Sequence, residues 1–225
     1  MCGRFTQMME WAELVRLYRL ADKWYGRNTP ARYNVAPTQT VPFVHQGGDG
    51  EQELSEGRWW LVPFWAKEMP KHPTFNARSE EADVKSSFKD SFKAKRCLVP
   101  ADGFYEWTKG EDGGKDPWFI HLPDRKPFSF AGLWAYNKTL DVISCTILTM
   151  AAGDPMRQLH DRQPVILAPE AYDAWLSPDT STPDAKSLLQ RYPDGDLRFH
   201  RVSRDINSSK FEGDPGINVA FAGAK

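Results

Sequence analysis

Three ionisable side chains in this sequence stand where they could do chemistry, and the first is at position two. Aminopeptidases remove an initiator Met when the next side chain is small, so Cys2 would become an N-terminus with an amine beside its thiol. A free α-amine titrates near ~7.7–8.0 and a thiol near ~8.5, so a usable fraction of each is reactive at neutral pH without a tuned base. Such an aminothiol condenses with an aldehyde to an imine, and the thiol then closes a thiazolidine ring on the same carbon. The expected substrate is a carbonyl. The second group is Glu106, set among aromatic residues in Phe104-Tyr105-Glu106-Trp107. A carboxylate there is either an edge-strand surface residue or a functional acid with a raised pKa. The third is His160, which among five histidines is the one bracketed by an acid and arginines at a strand entrance. It also fits a loop histidine bonded to Asp161. Cysteine at position two likewise fits an accident of a frayed start. Against that, Gly3-Arg4-Phe5-Thr6 runs straight into a helix signal, which predicts an N-terminus tied into the fold.

These groups need elements to hold them. Thr6 is a candidate cap for a helix of about four turns, with Trp11, Leu14, Val15 and Tyr18 on one apolar face. From Tyr25 to Pro42 the chain reads as loop, extended over Arg32–Gln39, followed by a short strand Val41–His45. Gly47-Gly48-Asp49-Gly50 turns it back into a strand ending in Arg58-Trp59-Trp60-Leu61-Val62-Pro63-Phe64-Trp65, with Trp65 facing outward. In Thr74-Phe75-Asn76-Ala77-Arg78-Ser79-Glu80-Glu81, Ser79 reads as an N-cap and the acids as a first helical turn. Asn76 and Arg78 would then enter that helix from a loop, where side chains and free N–H groups meet an anion. A broken helix is expected over Val84–Lys95. Cys97 to Trp107 reads as two strands meeting at an Asp102-Gly103 bend, and period two puts Phe104, Glu106 and Thr108 on one face, opposite Tyr105 and Trp107. Further strands are predicted at Trp118–Leu122, Phe128–Leu133, Val142–Thr149, Val165–Ala168 and Leu197–Val202, with helices opened by Pro169 and Pro183 and an extended tail over Asn207–Val219.

Composition limits the function classes. A net charge of -1 over 225 residues excludes a globally basic nucleic-acid binder, so an anionic ligand must be met by clustered arginines. No apolar run is long enough to span a membrane and no signal peptide opens the chain, which predicts a cytoplasmic location, or a nuclear one in a eukaryote. Cys2, Cys97 and Cys145 are three cysteines at wide spacing, which suggests neither a disulfide framework nor a zinc knuckle. Cys97 and Cys145 sit in apolar runs and read as core. The 9 Trp and 17 Pro point to many short strands and turns. No phosphate-cradling glycine loop or metal-ligand pair is found, and no cofactor or metal is expected.

Taken together, Met1-Cys2-Gly3-Arg4-Phe5, Tyr33-Asn34-Val35-Ala36-Pro37-Thr38, Asn76-Ala77-Arg78-Ser79-Glu80, Leu98 to Trp107, Ala131-Gly132-Leu133-Trp134 and His160-Asp161-Arg162 resemble the SRAP family, the SOS-response-associated peptidases. Two departures stand out: Trp60 where the family's Trp-Gly-Leu/Ile-Pro stretch has glycine, and Gln163 where methionine is more usual. The resemblance implies a single α+β domain over residues 1–225, with a barrel-like, bifurcated and mostly antiparallel sheet flanked by helices. It implies covalent trapping of abasic sites in single-stranded DNA by a monomer. Cys2 would form a thiazolidine with the ring-opened deoxyribose, Asn76 would hold the sugar, and Glu106 and His160 would manage protons. Arg4, Arg78 and Arg162 would contact phosphate, with Pro42 and Trp65 stacking on or wedging bases. Lyase activity and self-removal of Met1 would accompany this.

Two rival classes remain open on these residues. An N-terminal nucleophile amidohydrolase of the glutamine amidotransferase kind also begins Met-Cys-Gly, but usually continues into an apolar strand and carries an Asn-Gly motif that is missing here. A DNA-binding module without chemistry would keep its binding after Cys2→Ser and give no covalent product.

Overall fold

The computed structural model describes residues 2–20, 30–192 and 197–217. Met1, the loop expected from Tyr25 as far as residue 29, and the end of the tail at Val219 lie outside them. The chain runs β1 (Phe5–Gln7), α1 (Trp11–Leu17), β2 (Arg32–Val35), β3 (Thr40–Gln46), β4 (Gln52–Trp59), β5 (Asn76–Arg78), α2 (Lys89–Ala94), β6 (Arg96–Ala101), β7 (Gly103–Lys109), β8 (Lys115–His121), β9 (Phe128–Asn137), β10 (Val142–Ala151), β11 (Arg162–Pro164), β12 (Ile166–Leu167), α3 (Tyr172–Leu176), α4 (Thr182–Ser187) and β13 (Arg198–Arg201). The fold is α+β and mostly sheet.

The strands form two sheets. One is antiparallel and five-stranded, in the order β13-β8-β7-β1-β2. The other has eight strands, and β10, β4, β3, β6 and β9 close into a ring because β9 pairs back onto β10. Among the described strands, β4 and β5 run parallel to their neighbour β10 and the other pairings are antiparallel. The long strand β10 makes this possible: it meets β4 at Ser144–Cys145, β5 at Ile147–Thr149 and β11 at Thr149–Ala151. One strand therefore serves several partners along its length, and the sheet forks.

Alternation divides the core. Along β6, Cys97 and Val99 face a cluster that contains Phe5, Trp59, Phe104 and Phe130, whereas Leu98 faces the one under the helices, with Trp11, Leu14 and Trp175. Phe5 is fully buried, edge-on to Trp59 at 4.9 Å and to Phe130 at 5.7 Å. Burial of one such ring contributes about 1.5–3 kcal/mol. Tyr172, Trp175 and Leu176 are buried, as the pattern predicts, and Cys97 and Cys145 are buried free thiols.

The Asp102-Gly103 bend joins the sheets: β6 belongs to the ring and β7 to the five-stranded sheet. Gly103 is required there, since a Cβ would stand 2.1 Å from the Phe119 ring. Asp102, buried, accepts from the Thr6 hydroxyl and from the main-chain N–H groups of Met8 and Met9.

Two predicted helix starts are corrected. Thr6 lies on β1, because its hydroxyl is taken by Asp102, and the helix begins only at Trp11 with Glu10 at its cap. Its apolar face is as expected, with Trp11, Leu14, Val15 and Tyr18 buried. Ser79 caps no helix: its N–H donates to the Thr149 carbonyl at 2.8 Å, which extends β5 along β10. Asn76 and Arg78 therefore sit on a strand rather than in a loop. Likewise Arg32–Val35 forms β2 rather than loop. Among the described residues no helix is long and apolar enough to cross a membrane.

Candidate active site

Strand β1 is an inner strand, opposite β7 on one side and β2 on the other. Phe5 pairs with both Phe104 and Val35, and the Tyr105 N–H donates to the Arg4 carbonyl at 3.0 Å. This antiparallel register carries the chain back from Phe5 past Tyr105 toward Glu106, whose carboxylate acts on the Cys2 thiol. The second fixing point is β5. The Asn76 side-chain amide donates to the Cys2 carbonyl at 2.7 Å. Strand pairing thus holds the segment from one side and a side-chain amide holds it from the other.

Burial sets the electrostatics. Cys2 has no solvent exposure. Desolvation pushes its thiol far above the ordinary thiol range, and the Glu106 carboxylate adds to the effect. The expectation of a thiol already reactive at neutral pH is therefore corrected. Buried as it is, this thiol is protonated and needs a base. Glu106 is 2% exposed, and burial raises its carboxyl to about 7, against the opposing pull of the chain's N-terminal positive charge. Of the two readings of this residue, the raised acid is the one found.

His160 follows a short 3-10 turn, Met156–Gln158, whose Met156 is buried in the same core cluster as Cys2. Burial lowers its pKa first and the N-terminal charge second, while Asp161 acts the other way. Its Nδ1 lies 2.9 Å from the Arg162 N–H and 2.8 Å from Asp161 Oδ1. Cys2, Asn76, Glu106 and His160 are thus brought together from the segment before β1, from β5 and β7, and from the approach to β11, and Glu106 and His160 both sense the N-terminal charge.

The predicted phosphate contacts are placed less uniformly. Arg78 is exposed on β5, two residues beyond Asn76. Arg4 is half-buried, donating to Asn34 Oδ1 at 2.7 Å and the Ile206 carbonyl at 2.8 Å. Arg162 is already engaged, bidentate on Glu80 at 2.7 and 2.9 Å. Trp65 is 52% exposed and its neighbour Phe64 59%, on a loop held by Asn137 through the carbonyls of Pro63 and Ala66. Pro42 stands apart. It pairs with Glu56 across β3 and β4 and lines a cavity of about 240 Å³ with Met9 and Asp102, which none of the four central residues touches.

Sequence reasoning passed over several neighbours. Trp107 and Lys115 line a cleft of about 370 Å³ with Gly3, Arg4 and Asn207. The signal was there in the alternation that put Trp107 opposite Glu106. Phe75, directly before Asn76, packs against both Trp59 and Trp60, at 5.8 and 5.7 Å. Trp60, at the family's glycine position, therefore extends the aromatic wall beside Asn76. Gln163 is buried and accepts from the Gly153 N–H at 3.0 Å. Glu80, read as an acid in a first helical turn, is the partner of Arg162. Among the described residues no cluster of three or more His, Cys, Asp or Glu side chains could hold a metal ion.

Comparison with known proteins identifies relatives over nearly the whole chain. The chain is 38% identical over 217 residues to the abasic site processing protein YoqW of Bacillus subtilis (strain 168), covering 93% of this chain and 96% of that one. It is 30% identical over 220 residues to the abasic site processing protein YedK of Escherichia coli (strain K12), covering 95% and 97%. Among solved structures, a Bacteroides thetaiotaomicron protein superposes with a TM-score of 0.79 at 25% identity, covering 91% of this chain and 93% of that one. A phage-related protein of Bordetella bronchiseptica gives 0.75 at 28%, covering 94% and 99%. The family model of the SOS response associated peptidases (SRAP) matches residues 1–209, and the chain belongs to that family.

Proposed function

We propose that this protein processes abasic sites in single-stranded DNA by capturing them covalently on Cys2 once Met1 has been removed. The reading rests on one observation above the others: a buried cysteine at position two, held by Asn76 through its carbonyl and facing a carboxyl that titrates near neutrality. The relatives named as abasic site processing proteins support the same substrate.

An abasic deoxyribose supplies an aldehyde when its ring opens. The Cys2 amine attacks C1′ and water leaves, giving an imine. The thiol then adds across the C=N bond, its proton passing to the nitrogen, and a thiazolidine results. Ring opening needs an acid near the ring oxygen, a role suited to Glu106 in its protonated form. Carbinolamine breakdown and thiol closure need a group that both takes and gives a proton, which suits His160. Asn76 fixes the Cys2 carbonyl and so the direction of the attacking amine. Arg4, Arg78 and Arg162 serve the phosphates, Arg162 while it keeps its hold on Glu80. Trp65 offers a base-stacking face, and Pro42 takes the more distant part of that role. An imine that escapes closure is open to elimination of the 3′ phosphate, an associated lyase activity, and self-removal of Met1 is the peptidase part of the proposal. The protein is taken to act as a monomer, as one domain over residues 1–225. The shared core between the sheets and their one-residue junction at Asp102 support that unity.

Intact mass of the purified protein, alone and after incubation with an abasic single-stranded oligonucleotide, tests the proposal. The expected result is a chain lacking Met1 that gains the mass of the oligonucleotide less one water. Glutamine hydrolysis without such an adduct would instead establish the amidohydrolase reading.

A further inference from the structure

Two neighbours ask opposite things of one nitrogen. The main-chain N–H of Arg162, 2.9 Å from His160 Nδ1, requires that nitrogen as an acceptor. Asp161 Oδ1, 2.8 Å away, requires it as a donor. An imidazole nitrogen cannot serve both at once. In the neutral ring Nδ1 takes the Arg162 N–H and the ring proton sits on Nε2; in the protonated ring Nδ1–H turns to Asp161.

Arg162 is not free to move away and relieve this competition. Its guanidinium is bidentate on Glu80 and also donates to the Thr149 carbonyl at 2.7 Å. The Glu80 carboxyl is held at about 2 by that contact, so it remains ionised throughout the neutral range. Lys186 donates to the Glu80 carbonyl at 3.2 Å and ties the acid's own backbone to α4.

We propose that Glu80 and Asp161 are positioning residues for His160. Glu80 clamps Arg162 so that its main-chain N–H stays on Nδ1, and Asp161 is the partner to which Nδ1 turns when the ring takes up a proton. The inference rests on the reading of His160 as a proton-transfer group. The other charges facing the ring are the Arg162 guanidinium and the chain's N-terminus, both of which disfavour the imidazolium; Asp161 favours it, and Asp161 also acts on Glu106 across the site.

The test is nitrogen-15 NMR of labelled histidine in the free protein, titrated with pH, beside single-turnover capture of an abasic single-stranded oligonucleotide at saturation. Wild-type His160 should show its neutral proton on Nε2. Asp161→Asn should keep that tautomer and lower the midpoint by about half a unit, the size expected of an exposed ion pair. The pH limb of the capture rate should move with it. Glu80→Ala should mix the tautomers, and Glu80→Asp should restore the Nε2 form in part. An unchanged midpoint in Asp161→Asn, or an unchanged tautomer in Glu80→Ala, overturns the inference. Asp161 is exposed, so its substitution leaves the fold in place even if Glu80→Ala does not fold. Failure of the wild type to capture abasic DNA would overturn the proposed function, while the NMR result would stand on its own.

Discussion

At the scale of single residues, the division of labour within Cys2 is open to direct test. Cys2→Ala keeps a small second residue, so Met1 should still be removed and the amine should still form an imine. With no thiol to close the ring, the stable adduct should disappear, leaving a borohydride-trappable imine and some strand cleavage on denaturing gels of end-labelled abasic DNA. A complete absence of imine, together with wild-type crosslinking that amine modification leaves unaffected, would mean that attack begins at sulfur. The pH dependence follows from the two proton-handling groups. Glu106 acts as an acid in its protonated form, so the capture rate should fall as pH rises through about 7. His160 must be neutral to accept a proton, and its pKa is lowered, so the acid limb should lie below the ordinary histidine range. The two limbs enclose a bell. Glu106→Gln should remove its alkaline limb and slow single-turnover capture by roughly 10²–10⁴, the usual worth of a positioned acid.

At the scale of elements, the site depends on β1 being held between β7 and β2. Phe5 is the buried anchor of that strand, and Phe5→Ala should cost about 3–5 kcal/mol in chemical denaturation. Capture should fall further than stability alone accounts for, because Cys2 loses its register against Glu106. A loss of stability with wild-type capture at low temperature would count against that linkage. How far these elements could be read in advance depended on where their partners lie in the chain. The β6–β7 bend was legible because Asp-Gly is a local turn signal, and the face carrying Glu106 followed from alternation. Thr6 and Ser79 were misread for one shared reason. Each is a good local cap, but distant groups claim them: Asp102 takes the Thr6 hydroxyl and the Thr149 carbonyl takes the Ser79 N–H. The engagement of Arg162 by Glu80 spans 82 positions and leaves no local trace. The burial of Cys2, which changes its chemistry most, is a property of the sheet and not of the residues beside it.

At the scale of the whole molecule, a chain of net charge -1 must meet DNA with a few arginines. Several cations are neutralised within the fold, Arg162 by Glu80 and Arg204 by Asp112 and Asp116. Exposed Arg78 should therefore carry one full phosphate contact. Arg78→Ala should reduce the slope of log affinity against log salt by about 0.7, with capture unchanged at saturating DNA. An unaltered slope in fluorescence anisotropy would remove Arg78 from the interface. The inner position of β1 has one more consequence, and it concerns timing. The start of the chain leaves the ribosome first, yet its place in the sheet is completed only by β7, which ends at Lys109. At roughly 5–20 residues per second, synthesis of that stretch leaves the first residues unpaired for several seconds. Closure of the sheet then buries Cys2. A Met1-bearing chain that has already folded should therefore lose Met1 only by the proposed self-removal, at a rate that added methionine aminopeptidase leaves unchanged in an intact-mass time course. The same chain unfolded by Gly103→Val should be trimmed at the rate of a short peptide.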